Sequence, residues 1–311
     1  RAFGTHCSLP SACIIKHADG DNATKLVVEK VEETSTETMN ILTVTLKEVA
    51  RPFKVKLYYK AYKDCDVIKM SAEYINDGKK PIILQKYMSA ALPVKSEECW
   101  LMHIDGEHGS ENNETFEPLT EGVKVLSTME GGFPSRHNNA SFMLGTDNRI
   151  SETEGNVIAG TLAWTGNFHI EFINNMISKE PVIINAGINP TAADYTLDGK
   201  KSLMTPEMIF TYSSKGKGQA TRNLHYWARN HHILDGKEQR HILLNSWEGV
   251  RMNVTQTGMN SMMDDFAALG GEMFVMDDGW FGNKYARTDS QGLGDWEVCK
   301  ERLPEGIGKL I

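Results

Sequence analysis

From about residue 23 to residue 213, apolar and polar positions alternate with a period of two. In "ILTVTLK", Leu42, Val44 and Leu46 alternate with Thr43, Thr45 and Lys47, and "FKVKLYY" repeats the pattern with Phe53, Val55, Leu57 and Tyr59. Successive side chains of a strand point to opposite faces, so each run predicts a strand with one buried and one wet face. "VIKMSAEY" puts Ile68, Met70, Ala72 and Tyr74 on one side. It lies between the turn-like "KDCD" and "NDGKKP", whose Asn, Asp and Gly tolerate positive φ. "KVLSTME", "VIAGTLAW", "FHIEFIN", "PVIINAGI" and "EMIFTYS" predict further strands separated by Gly-, Asn- and Asp-rich turns. Hairpin upon hairpin over about two hundred residues predicts a large antiparallel β-sandwich.

The period changes after "SSKGKGQ", a small Gly/Lys/Ser exit loop. In "ATRNLHYWARNHHIL", Leu224, Trp227 and Ile233 fit a short helix. The sandwich is therefore assigned to residues 1–217 and a linking helix to 218–238, with a second domain over 239–311. There "HILLNSW" and "EMFVM" are continuous apolar runs of the kind buried on both faces of a parallel sheet. Between them Met259, Met263, Phe266 and Leu269 form a helical stripe that stops at Gly270-Gly271. Strand, helix and strand with short links make a βαβ unit, whose crossover is expected to be right-handed.

Both parallel strands deliver polar residues to the same edge, Trp247 in "NSWEG" and Asp277-Asp278 in "FVMDDGWFGN". In βα folds that edge is where ligands bind. An aromatic platform beside carboxylates suits a sugar, whose C–H face packs on a ring while its hydroxyls donate to anions. "GLGDW", ending at Trp296, lies in the loop after the second strand and brings a further ring within reach. A bare "DDG" after a strand is more often a turn, and a single Trp is more often core; the coincidence at one edge raises the site reading to parity with these. Neighbouring carboxylates at a strand end point in different directions, which suits substrate holding better than the acid and base of a glycosidase.

Composition narrows the field. Forty per cent hydrophobic and 24% charged residues are those of a soluble globular protein. A net charge of −8 with scattered basic residues argues against a nucleic-acid partner. The apolar runs are too short for a membrane span, which leaves the compartment open between cytoplasm and periplasm. Five cysteines, Cys7, Cys13, Cys65, Cys99 and Cys299, contain no C-x-x-C pair and read as free thiols. His103, His108, His231 and His232 lack the H-E-x-x-H spacing of a zinc site and read as loop or surface histidines. Met259, Met262 and Met263 read as helix packing. No nucleotide-binding or serine-hydrolase motif competes.

The ordered run "ILLNSWEG", "ALGGEMFVMDDGWFG" and "GLGDWEVCKERLPEGIGKL" resembles the start of the catalytic barrel in glycoside hydrolase family 36, the bacterial α-galactosidases. Upstream, "DVIKMSAEYINDGKKPIIL", "GNFHIEFINN" and "TPEMIFTYSSKGKGQATRNLHYWARN" are similar to that family's N-terminal domain and the helix leading out of it. The resemblance implies a fold of an antiparallel β-supersandwich followed by the first βα units of a truncated (β/α)8 TIM barrel. It implies a retaining exo-glycosidase releasing terminal α-linked galactose, with Asp277 and Asp278 holding the O4 and O6 hydroxyls. Trp247 and Trp296 would wall the pocket and Trp280 would pack behind it. The family's nucleophile and acid/base are aspartates on later strands, expected after Ile311, so the chain by itself is expected to be inactive. The resemblance implies no metal or organic cofactor, and a homo-oligomer, often a tetramer. α-N-Acetylgalactosaminidases of the same family are the nearest alternative, and a non-catalytic carbohydrate-binding protein or a purely structural sandwich are the others. Where many members carry Trp-Ala-Arg-Glu in the N-terminal domain, this chain reads "HIDGEHGSENNE".

Overall fold

Each period-two run becomes a strand. The computed structural model describes residues 11–96, 98–130, 137–147, 149–175 and 181–310. Cys7 lies outside them. In chain order the strands are β1 (Cys13–Lys16), β2 (Leu26–Ser35), β3 (Met39–Glu48), β4 (Phe53–Tyr62), β5 (Val67–Asn76), β6 (Ile82–Val94), β7 (Trp100–Glu107), β8 (Ser110–Pro118) and β9 (Gly122–Ser127). They continue as β10 (His137–Gly145), β11 (Val157–Leu162), β12 (Phe168–Asn174), β13 (Val182–Ile188), β14 (Tyr195–Leu197), β15 (Ser202–Met204), β16 (Met208–Ser213), β17 (Leu243–Asn245) and β18 (Met273–Val275). The helices are α1 (Gly216–Trp227), α2 (Trp247–Val250) and α3 (Gln256–Ala268).

The chain divides into two compact units, Arg1–Gly236 and Lys237–Ile311. In the first, a ten-stranded sheet ordered β2-β3-β4-β5-β16-β11-β10-β7-β8, with β15 on β5, accompanies a six-stranded sheet ordered β1-β6-β13-β12-β9, with β14 on β6. All pairings in these two sheets are antiparallel. The alternation explains the core. Leu101, Phe142, Leu144, Leu162, Met208 and Phe210 of the large sheet cluster with Leu126, Phe168, Ile170, Phe172, Val182 and Ile184 of the small one. Phe142 meets Phe172 edge to face, with ring centroids 4.8 Å apart. A second cluster joins Phe53, Val55, Ala72 and Tyr74 to Ile15, Ile82, Leu84 and Leu197. The sandwich is thus two sheets sealed by two patches of one apolar layer.

Helix α1 packs on β16 and β11, with Ala220 fully buried beside Met102, Val157 and Ala159. It continues through one π-helical turn, Ala228–His232, so Ile233 lies beyond the helix and is 47% exposed. Two of the surface histidines need correction. His103 is buried in β7, with Nε2 2.9 Å from Glu117 and Nδ1 3.0 Å from Asp105, because inward-facing positions of a sheet accept a polar ring when carboxylates answer it. His231 sits on the π turn, with Nε2 2.9 Å from Asp64. His108 lies in the exposed β7–β8 turn, and His232 stacks on Trp227 at 4.9 Å.

In the second unit β17 and β18 pair in parallel, Leu243 opposite Met273 and Asn245 opposite Val275, with α3 between them in sequence. The Thr255 side chain caps α3 by accepting the Gly258 N–H at 3.1 Å. The helix ends as its glycines require: Gly270, at φ +89°, donates to Ala267 and Gly271 donates to Phe266, a Schellman motif. Met259 is fully buried with Val254 and Leu303, and Met263, Phe274 and Trp280 pack against them. Burial of β17 and β18 on both faces does not hold: Leu243 is 52% and Met273 41% exposed. Helix α3 packs Met259 and Met263 toward Phe274 on one side of the two-stranded sheet, and Leu243 and Met273 lie on the opposite side. Among the described residues no helix is long and apolar enough to cross a membrane.

Candidate functional site

The polar residues at the ends of β17 and β18 form one hydrogen-bonded cluster. Ser246, fully buried, extends the parallel ladder by donating its N–H to Val275 at 2.9 Å, and its Oγ accepts the Asp277 N–H at 3.1 Å. Asn245 is the hub. Its Nδ2 donates to Asp277 Oδ2 at 2.6 Å, and its Oδ1 accepts the Trp247 N–H at 2.8 Å. One amide therefore ties the start of α2 to the first carboxylate.

The two aspartates are held differently. Asp277 Oδ1 accepts the Asp278 N–H at 2.6 Å. Asp278 Oδ1 accepts the Gly279 N–H at 2.8 Å, and its Oδ2 lies 3.0 Å from Arg287 Nη2. An ionised carboxylate offers about four acceptor positions. Each of these uses one per oxygen within the protein, and each is half-buried rather than sealed. What remains is a pair of oriented anions able to accept several hydroxyl hydrogen bonds.

Gly279 shapes the turn that makes this possible. It sits at φ +105°, and a Cβ there would lie 2.8 Å from both Cα and O of Met252. The Arg302 guanidinium caps its carbonyl. Gly279→Ala is expected to destabilise the unit by roughly 2 kcal/mol through backbone strain and displacement of the Met252 segment, read as a lower urea midpoint. An unchanged midpoint would show that the turn relaxes freely.

The aromatic residues fall into two places. Trp247 opens α2, linked to Asp277 through Asn245. Trp296 is brought back by the pairing of Phe281 with Val298, in which Gly282 donates to Glu297 and Cys299 donates to Trp280. Trp296 is 70% exposed, with its ring centroid 4.7 Å from that of Phe281 and 6.4 Å from that of Trp280. Trp280 packs against the Met259 cluster.

Sequence reasoning missed Arg287, which is 7% exposed, and it missed the roles of Asn245 and Ser246. The Asn-Ser pair stands in the quoted "NSWEG", where an amide just before a strand-end Trp is a readable signal. Arg287 carries none, since it sits in a loop of Gly, Asn, Asp and Ser. Among the described residues one group has metal-ligand types, Asp64, Cys65 and His231, with donor atoms within 4.8 Å of one another. It lies in the sandwich unit, where the Asp64–His231 pair ties the end of α1 to the β4–β5 turn. Cys13, Cys65, Cys99 and Cys299 are free thiols, and burial pushes Cys13 up to about 12 and Cys65 up to about 11.

Comparison with known proteins bears on this arrangement. Residues 2–198 match the glycosyl hydrolase family 36 N-terminal domain, and residues 202–311 match the melibiase family. Alpha-galactosidase Mel36A of Lactobacillus acidophilus is 28% identical over 315 residues, covering 96% of this chain and 42% of its own length. The crystal structure of family 36 α-galactosidase AgaA from Geobacillus stearothermophilus superposes with a TM-score of 0.91 at 25% identity, over 99% of this chain and 45% of that one. A variant of AgaA has been solved in complex with stachyose, with a TM-score of 0.90 to this chain. The chain thus spans a little under half the length of the relatives it matches.

Proposed function

Because this chain belongs to glycosyl hydrolase family 36, we propose that the protein carrying it is a retaining exo-α-galactosidase releasing terminal α-linked galactose from oligosaccharides or glycoconjugates. The observation that carries the reading is the pair Asp277-Asp278, two carboxylates oriented by Asn245, Gly279 and Arg287 with acceptor positions still open. A terminal galactose presents two neighbouring hydroxyl groups, O4 and O6, that such a pair can take. Trp247 and Trp296 supply apolar walls for its C–H face.

The pair holds the sugar; it does not cut it. Retaining hydrolysis needs a nucleophile and an acid/base about 5 to 5.5 Å apart across the glycosidic bond. Adjacent residues whose carboxylates are committed to separate hydrogen-bond donors do not meet that need. The proposal gives those roles to two further aspartates on later barrel strands, and the oxocarbenium-like transition state needs no metal or organic cofactor. The AgaA variant crystallised with stachyose supports a galactose-terminated oligosaccharide as the substrate class. A homo-oligomer is part of the same proposal.

The test compares the full-length protein on an aryl α-galactoside and an aryl α-N-acetylgalactosaminide. Preferential turnover of the first is expected. Preference for the second moves the assignment to an α-N-acetylgalactosaminidase, and galactose binding without turnover of either leaves a carbohydrate-binding protein.

A further inference from the structure

Arg287 is folded into its own loop. Its N–H donates to the Phe281 carbonyl at 3.1 Å, and Thr288 and Gln291 exchange backbone hydrogen bonds just beyond it. Gly282 and Gly292 bracket the turn at φ +141° and +75°. A Cβ on Gly292 would lie 3.1 Å from the Arg287 Cα, and one on Gly282 would lie 2.3 Å from the Tyr285 carbonyl oxygen. The loop closes tightly around the arginine: a side chain is sterically excluded at Gly282, and at Gly292 it would be crowded and strained by the positive φ.

A guanidinium buried this way is costly unless it is paired. Among the described residues Arg287 has one ion-pair partner, Asp278, while its buried Nε and Nη1 find no acceptor there. A solvent-facing lysine would neutralise Asp278 at lower cost. What a planar guanidinium adds is direction, because its donors are fixed relative to one another and to the acceptor they meet.

We propose that Arg287 is a positioning residue for the sugar-holding edge: it clamps Asp278 Oδ2 while the Gly279 N–H holds Oδ1, so that the remaining lone pairs face the ligand hydroxyl in one orientation. The inference rests on the reading of Asp278 as a substrate-holding carboxylate. It adds the residue that keeps that carboxylate turned toward its ligand, on a loop that then runs on to Trp296.

The experiment is a double-mutant cycle in the full-length protein with R287M, R287K, D278N and D278N/R287M. On an aryl α-galactoside R287M is expected to lower kcat/KM at least about 20-fold, and R287K to recover part of the loss. The double variant is expected to fall no more than about threefold below D278N, because an arginine that acts through Asp278 has nothing left to position. Activity of R287M within about twofold of wild type, or losses that multiply in the double variant, would overturn the inference. A crystal structure of R287M gives a reading that needs no activity: Asp278 Oδ2 should leave its place, and an unmoved carboxylate overturns the proposal. Wild-type protein inactive on the galactoside would sink the assigned function instead, with the clamp still decided by that structure. Should R287M not fold, R287Q is read in the same two ways.

Discussion

Asp278→Asn in the full-length protein is expected to cut kcat/KM on an aryl α-galactoside at least about a hundredfold, equivalent to about 2.7 kcal/mol of lost transition-state binding. The change is nearly isosteric, but it replaces one acceptor oxygen with an NH2 donor. Both oxygens already face donors, Oδ1 the Gly279 N–H and Oδ2 the Arg287 Nη2. Whichever way the amide turns, one donor faces another, and the charge that strengthens a sugar hydroxyl's hydrogen bond is gone. The Asp278 side chain is 23% exposed, but the substitution also takes the counter-charge from the buried Arg287, so the unfolding temperature should fall as well and turnover is to be compared below that transition. Near-wild-type turnover would remove Asp278 from the substrate-holding edge.

The sandwich was readable where its strands are regular. β3, β4 and β5 alternate cleanly because each pairs in unbroken register with at least one neighbour. β6 is different. Its register shifts opposite Ile14/Ile15 and again opposite Ala186/Gly187, so its thirteen residues change face twice and no single period describes them. β8, "SENNETFEP", has almost no apolar residues to alternate; its pairing with β7 creates it, and sequence periodicity cannot report it. At the site, Asp277, Asp278 and Trp247 stood out because strand ends in a βα unit are predictable. Arg287 did not, because its importance comes from a loop closing through the Phe281–Val298 pairing, a contact between residues 17 apart with no local signature. The same limit hid the burial of His103, which depends on Glu117 from the next strand.

The largest effect on stability is expected in the sandwich. Lys86 on β6 places its ammonium 2.5 Å from Glu171 on β12, and both are buried. Asn185 Nδ2 also donates to Glu171 at 2.8 Å, and His169 lies 3.4 Å away. Alternation puts this cluster on the face of the small sheet turned away from Ile170 and Phe172. Burial by itself would push the Glu171 carboxyl up, but hydrogen bonds from His169, Lys86 and Asn185 and the charge of Lys86 outweigh it and hold the group down at about 2. Lys86→Met leaves a buried carboxylate without its counter-charge, a loss of about 3 to 5 kcal/mol, or roughly 10 °C in the sandwich's unfolding temperature. Lys86→Met/Glu171→Met removes both charges together and should recover most of that loss, since apolar replacements of a buried ion pair are often neutral. The sign of the pH effect follows from the lowered carboxyl. Its contribution is complete above the ordinary value of 4.5 and is lost as pH falls toward 2. Wild-type protein should therefore shed stability steeply through that window, and Glu171→Gln should show a shallower slope there. A Lys86→Met protein as stable as wild type, or equal acid slopes for wild type and Glu171→Gln, would mean that the ion pair does not bind β6 to β12 in this way.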